Sequence, residues 1–186
     1  MKLKDLLLER KSNILAKWFD KMIESYPPDS SNFLKNQKNR FSNPVGNTIS
    51  EGINSLFDVL VQGYEPETIY PFLNDIIRIK AVQDFSPSQA VSFVFLLKRV
   101  LRDAVKKELK EYSIYEELTL LESQIDELAL LSFDIFMKCR ERIYEIKADE
   151  VKRMTFRLIQ RANLICETRE SDPDDSDAVL TKKIKG

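Results

Sequence analysis

The sequence contains no histidine, and this absence removes most of the familiar catalytic and metal-binding arrangements. Without histidine there is no His-activated serine or cysteine nucleophile, no HExxH zinc site, no ExxH di-iron pair and no histidine ligand for haem. The lysines and carboxylates that are present form no recognisable catalytic motif. We therefore predict a protein that is not an enzyme and that has no catalytic residue, no metal site and no cofactor.

Cysteine is scarce as well, since Cys139 and Cys166 are the only two in the chain. Both lie in segments with helical periodicity and neither belongs to a CxxC pair, which argues against a disulfide framework and against a zinc site. Cys139 falls on an apolar stripe, so we expect it to pack as a small hydrophobic residue. A redox role for Cys139 or Cys166 is the alternative, because a thiol becomes reactive when it is exposed and its pKa is lowered.

Glycine is scarce, the net charge is close to zero, and the hydrophobic runs are short. The 186 residues include 4 glycines and 32% charged residues, a composition that indicates few turns, many helix formers and an all-α fold with one main domain. The most apolar run, residues 90–97, is much shorter than the roughly 18 to 20 residues that span a bilayer. The N-terminus lacks the apolar stretch of a secretory signal. With a net charge of -1, we predict a cytoplasmic protein with no membrane insertion and no nucleic-acid partner.

Capping residues mark the starts of two helices. Asn43 followed by Pro44 predicts a helix that ends at Gly63, and Ser86 followed by Pro87, with Gln89 three residues after the cap, predicts another. Periodicity predicts further helices over residues 3–25, 30–40 and 66–83.

Small residues interrupt the first of these capped helices at Gly46, Ser50 and Gly52. We interpret them as a place where a neighbouring helix approaches closely. A ligand touching the backbone there is the alternative, although no phosphate-loop pattern accompanies these residues.

A long C-terminal helix is predicted from Ser113 to about Glu170, where the chain has neither glycine nor proline. Its apolar stripe runs from Ile114 to Ile146 in steps of three and four. Beyond that point the apolar positions shift by about one residue and recur seven apart, at Val151, Leu158 and Ile165. Because a change of phase indicates a change of packing partner, these three residues form the candidate interface with another molecule.

The predicted organisation therefore has three parts. Residues 1–147 form a helical domain, residues 148–168 form a helical extension, and residues 169–186 form a disordered tail. The tail is assigned because it combines a proline, four aspartates and three lysines with little apolar surface to bury.

Three segments resemble a known family: "RFSNPVGNTISEG", "RIKAVQDFSPSQAVSFVFLLK" and "FDIFMKCRERIYE". Over roughly residues 5 to 150 the chain is similar to the N-terminal domain of RsbRD-type RsbT co-antagonists, which are bacterial stressosome sensor proteins. The resemblance implies a non-haem, globin-like helical sensor domain that forms a homodimer and is normally joined to a STAS domain that contacts kinases. The lack of histidine agrees with a globin-like domain that binds no haem.

The chain ends soon after the linker-like helix, so we expect it to lack a STAS output domain. The expected function is a sensory, signalling or adaptor module that is not catalytic and acts by protein–protein interaction, with a partner in a signalling or redox complex. Similar stand-alone domains are associated with the membrane redox complex of sulfite reduction. The alternative that this resemblance implies is an accessory protein of a dissimilatory sulfite-reduction electron-transfer complex.

Overall fold

The computed structural model describes residues 2–36, 42–63, 66–83 and 85–170, leaving aside the side chains of 36, 66 and 164–170, and most of these residues are helical. Within these ranges there are helices and no strand. The α-helices are α1 Leu3–Glu9, α2 Lys11–Ile23, α3 Pro28–Asn36, α4 Pro44–Gln62, α5 Pro66–Val82, α6 Pro87–Ala104 and α7 Tyr112–Glu170, with a short 3-10 helix at Glu108–Lys110. The prediction of an all-α fold with a long C-terminal helix is confirmed.

Both capped helix starts are present as predicted. The Asn43 Oδ1 atom accepts a hydrogen bond of 2.8 Å from the Gly46 N–H at the start of α4, while its Nδ2 donates one of 3.0 Å to the Leu34 carbonyl of α3. At the start of α6, Ser86 and Gln89 form a reciprocal capping box. One side chain, that of Asn43, therefore joins two helix ends.

The segment predicted as a single helix over residues 3–25 is two helices, and the break falls at Arg10. The guanidinium of Arg10 donates to the Ala104 carbonyl and to the Glu108 carboxylate, where the Nη2–Oε1 distance is 2.6 Å. These partners lie far along the chain, and no glycine or proline marks the break locally. The short helix predicted over residues 30–40 begins earlier, at Pro28, and residues 37–40 lie outside the described part of the chain.

The chain divides into two compact units, Met1–Arg142 and Ile143–Gly186. In the first unit α4 packs against α5, and α2 packs against α4 and α6. The core of this unit includes the fully buried rings of Trp18, Phe57 and Phe93. The Trp18 indole N–H donates a hydrogen bond of 2.7 Å to the Phe93 carbonyl, so its polar edge has a partner inside the core.

Gly52 shows why a small residue is needed on α4. A Cβ atom added to Gly52 would lie 2.8 Å from the Ile76 Cδ1 atom of α5, which confirms the predicted close approach of a neighbouring helix. Gly46 has a different role, because a Cβ atom there would collide with the side chain of the capping Asn43. Ser50 is exposed.

The apolar stripe of α7 is buried from Ile114 to Ile135 and becomes exposed by Ile146. Ile146 is 52% exposed, whereas Cys139 and Ile143 are half-buried. The stripe residues that are buried in the first unit are Ile114, Leu118, Leu121, Ile125, Leu128, Ser132 and Ile135. Every described side chain of the second unit from 144 to 163 is exposed.

Candidate functional site

The candidate interface residues of the C-terminal helix expose apolar surface. Val151 is 63% exposed and Leu158 is 64% exposed. Ile165 lies in α7, but its side chain is outside the described residues. Met154 and Ile159 are exposed as well. Large apolar side chains that gather on one exposed element are typical of a protein interaction surface.

The structure describes the side-chain environment of Cys139 but not that of Cys166. Cys139 packs against the core of the first unit and is half-buried. Burial raises the pKa of its thiol, and the opposing charge of Arg78 lowers it by less. A raised pKa leaves less of the reactive thiolate at neutral pH. Cys166 lies in α7, where the side chain is outside the described residues, so its proposed redox role stays a prediction.

Lys80 is a buried charge that the sequence interpretation missed. Its side chain is completely buried, with 0% relative exposure, and the Nζ atom has no hydrogen-bond partner among the described residues. The residue follows Ile69, Leu73 and Ile76 of α5 at the spacing of one helix face. A lysine in phase with an apolar stripe is the signal that would have revealed it.

Three aromatic rings surround the Lys80 ammonium. The Nζ atom lies 4.4 Å from the ring centroid of Phe85, 5.1 Å from that of Tyr26 and 6.0 Å from that of Phe93. The Tyr26 and Phe85 rings also meet edge to face, with 5.0 Å between their centroids. Cation–π contacts of this kind stabilise a desolvated ammonium by about 2 kcal/mol, which is less than the several kcal/mol that burying an ion costs.

The pKa values of Lys80 and Tyr26 in this aromatic cluster are shifted by burial. Burial lowers the pKa of Lys80 to about 8, and burial raises the pKa of Tyr26 to about 12. In both residues the neutral form is favoured because a charge is poorly solvated in the interior.

A shallow cavity of about 430 Å³, open to solvent, lies next to this cluster. Two of its lining residues each have a buried polar atom without a hydrogen-bond partner among the described residues. These atoms are the Tyr26 hydroxyl and the Gln83 Oε1. The remaining lining residues are Asp29, Ser30, Phe33, Leu34 and Val45. The lining of the cavity is therefore mostly apolar, and the Tyr26 hydroxyl and the Gln83 Oε1 are buried rather than exposed to it.

Other kinds of site find little support in the described part of the chain. Within it, no group of three or more cysteine, aspartate and glutamate side chains is placed to hold a metal ion. None of its helices combines the length and the apolar character that crossing a membrane requires.

No match was found among curated proteins or among solved structures. The family model described as the RsbT co-antagonist protein rsbRD N-terminal domain matches residues 12–151, which is more than half of the 186 residues. This agrees with the resemblance of the three sequence segments. The chain therefore belongs to the family of the RsbT co-antagonist protein rsbRD N-terminal domain, a family of sensory and signalling domains.

Proposed function

We propose that this protein is a cytoplasmic sensory module, not a catalyst, which acts by protein–protein interaction and forms a homodimer through residues 148–168. The observation that carries the proposal is the exposure of Val151 and Leu158, which lie seven apart on one helix and are both more than 60% exposed. Membership of a signalling family supports the sensory role. A globin-like arrangement of the first unit, as the resemblance implies, is part of the proposal.

The residues between the large apolar positions favour a second copy of the same helix as the partner. Ala148, Thr155 and Ala162 also recur seven apart, so that small and large residues alternate in steps of three and four. This is the spacing of a coiled coil, in which each side chain enters a gap on the facing helix. Because a two-fold dimer brings identical surfaces together, one repeating stripe is sufficient for both subunits.

The flanking apolar residues fit a parallel pair of helices. In a parallel coiled coil, positions that border the stripe contact positions about five residues further along the partner helix. Met154 and Ile159 have this separation, and both are exposed in the single chain. A parallel dimer therefore covers these two side chains together with the central stripe.

Sedimentation equilibrium of the full chain tests the homodimer. We expect Leu158→Asp to weaken dimerisation at least a hundredfold, because each subunit would bury a carboxylate in the apolar seam. Gln160→Asp adds the same charge on the opposite side of the helix and serves as the matched control, for which a change of less than threefold is expected. A wild-type chain that stays monomeric at every concentration would contradict the proposal.

A pull-down from extract of the native source tests the class of partner. Recovery of STAS or kinase proteins with the wild type, and their loss with a variant that cannot bind them, would support the signalling role. Recovery of redox subunits in their place would favour the accessory role in electron transfer and would contradict the signalling assignment.

A further inference from the structure

We propose that the cavity beside Lys80 binds a small monocarboxylic acid with an apolar body, held by the Lys80 ammonium and the Tyr26 hydroxyl. The further statement that this acid is the signal of the module rests on the proposed sensory function. The binding site itself is argued from the geometry of the first unit alone.

Two buried polar groups beside the cavity, the Lys80 ammonium and the Tyr26 hydroxyl, can donate hydrogen bonds to a ligand. The Nζ of Lys80, the hydroxyl of Tyr26 and the Oε1 of Gln83 are all buried without a hydrogen-bond partner among the described residues. Buried polar atoms are normally paired, so two unpaired donors in one aromatic cluster form a specific departure from the rule. A carboxylate has two oxygens that accept from both an ammonium and a hydroxyl.

Tyr26 and Gln83 connect the buried lysine to the cavity. The Tyr26 ring contacts the ammonium, with 5.1 Å between its centroid and Nζ, and the same residue lines the cavity. Gln83, a second lining residue, follows Lys80 by less than one helical turn. The long, flexible side chain of a lysine allows its ammonium to reach a ligand beside the Tyr26 ring.

The rest of the lining defines the body and the charge of the ligand. Phe33, Leu34 and Val45 provide apolar contacts, and a volume of about 430 Å³ is that of a small-molecule site. Asp29 adds a negative charge to the lining, which disfavours a ligand with more than one negative charge. These features together favour a monocarboxylate over a phosphate or a dicarboxylate.

Isothermal titration calorimetry of the full chain with hexanoate and hexanamide tests the site. The two probes have nearly the same shape and differ in charge. We expect hexanoate to bind the wild type at least tenfold more tightly than hexanamide, and Lys80→Met to reduce hexanoate binding to the level of the amide. Equal binding of the two probes by the wild type, or no binding of either, would overturn the proposal.

A second lysine supplies the matched control for loss of charge. Lys35 lies on α3 and pairs with Asp20, with 3.2 Å between the charged atoms. Lys35→Met removes the same charge without touching the aromatic cluster, so we expect it to keep the preference for hexanoate. If Lys35→Met lost that preference as fully as Lys80→Met, the preference would come from the general field of the protein and the assigned site would be wrong.

Two further measurements keep the site testable if Lys80→Met does not fold. Carbon-13 NMR of labelled lysine in the wild type is expected to show that hexanoate raises the pKa of Lys80, because the carboxylate stabilises the ammonium. Tyr26→Phe keeps the ring and removes the hydroxyl, so we expect it to weaken hexanoate binding at least threefold. An unchanged lysine titration in the presence of bound hexanoate would overturn the assignment.

The outcomes separate this inference from the proposed function. Hexanoate binding by a wild-type chain that never dimerises would support the site and remove the sensory dimer. A normal dimer without any hexanoate binding would remove the site and leave the dimer in place.

Discussion

Replacing Lys80 with methionine is expected to stabilise the protein at neutral pH. Burial holds the pKa of Lys80 at about 8, against an ordinary value of 10.5. Because one pKa unit corresponds to about 1.4 kcal/mol, keeping the ammonium charged in the folded state costs about 3 kcal/mol at pH 7. Methionine has a similar length and no charge, so Lys80→Met should raise the free energy of unfolding by about 1 kcal/mol once the lost cation–π contacts, worth about 2 kcal/mol, are allowed for.

The pH dependence of this difference is the sharper part of the prediction. Between pH 8 and pH 10.5 the unfolded chain holds a proton on Lys80 that the folded protein has released, so the contribution of Lys80 to wild-type stability rises with pH. The advantage of Lys80→Met should therefore shrink by about 1.4 kcal/mol for each pH unit above 8. The pKa of Tyr26 is raised to about 12, so folded Tyr26 keeps its proton between pH 10 and 12 and its contribution to stability falls there. Measurements below pH 10 avoid this opposing effect.

Urea unfolding followed by circular dichroism at pH 7, 8, 9 and 9.5 measures the difference. Lys106 is exposed, and Lys106→Met is the control, expected to stay within about 0.5 kcal/mol of the wild type at each pH. A Lys80→Met advantage that is the same at pH 7 and pH 9.5 would refute the reasoning. So would a variant less stable than the wild type at pH 7.

Three other predictions concern packing, capping and thiol chemistry. Gly52→Ala should destabilise the protein by about 1 to 3 kcal/mol in thermal unfolding, because its Cβ would lie 2.8 Å from Ile76 Cδ1. Adding Ile76→Val should recover part of this loss. A Gly52→Ala variant as stable as the wild type would show that the helices separate freely. Asn43→Ala should lower the free energy of unfolding by about 1 to 2 kcal/mol, measured by urea unfolding, since α4 loses its cap. Asn43→Ser keeps a cap and should lower it less. Equal losses for the two variants would mean that the hydrogen bond to Leu34 dominates. In a chain with Cys139 as its single cysteine, burial and the raised pKa should make the thiol react with Ellman's reagent at least tenfold more slowly than in urea, whereas a faster reaction in the folded state would favour a redox role.

The helices that begin with strong local signals could be predicted from the sequence. The start of α4 at Pro44 and that of α6 at Pro87 follow from capping residues that act within four positions of themselves. The full extent of α7 followed from an uninterrupted stretch without glycine or proline. Such features depend on neighbouring residues, so local reasoning was sufficient for them.

The features that escaped prediction depend on distant residues. The break at Arg10 accompanies bonds to residues more than ninety positions away. The aromatic cluster around Lys80 combines Tyr26 after α2, Phe85 before α6 and Phe93 within α6. Periodicity shows that Lys80 lies on an apolar face, but it does not show which rings surround that face. The interface at Val151 and Leu158 could be proposed from spacing alone, because its residues lie on one helix.

The two hydrogen bonds made by the Asn43 side chain have a consequence for the motion of α3 and α4. This side chain joins the Leu34 carbonyl of α3 to the Gly46 N–H of α4, so outward displacement of α3 breaks the bond to Leu34 and removes one of the two bonds that fix the capping side chain. Leu34 and Val45, from the two joined helices, also line the cavity. The amide hydrogens of α3 and of the first turn of α4 should accordingly exchange with solvent in a single cooperative event with a shared opening free energy.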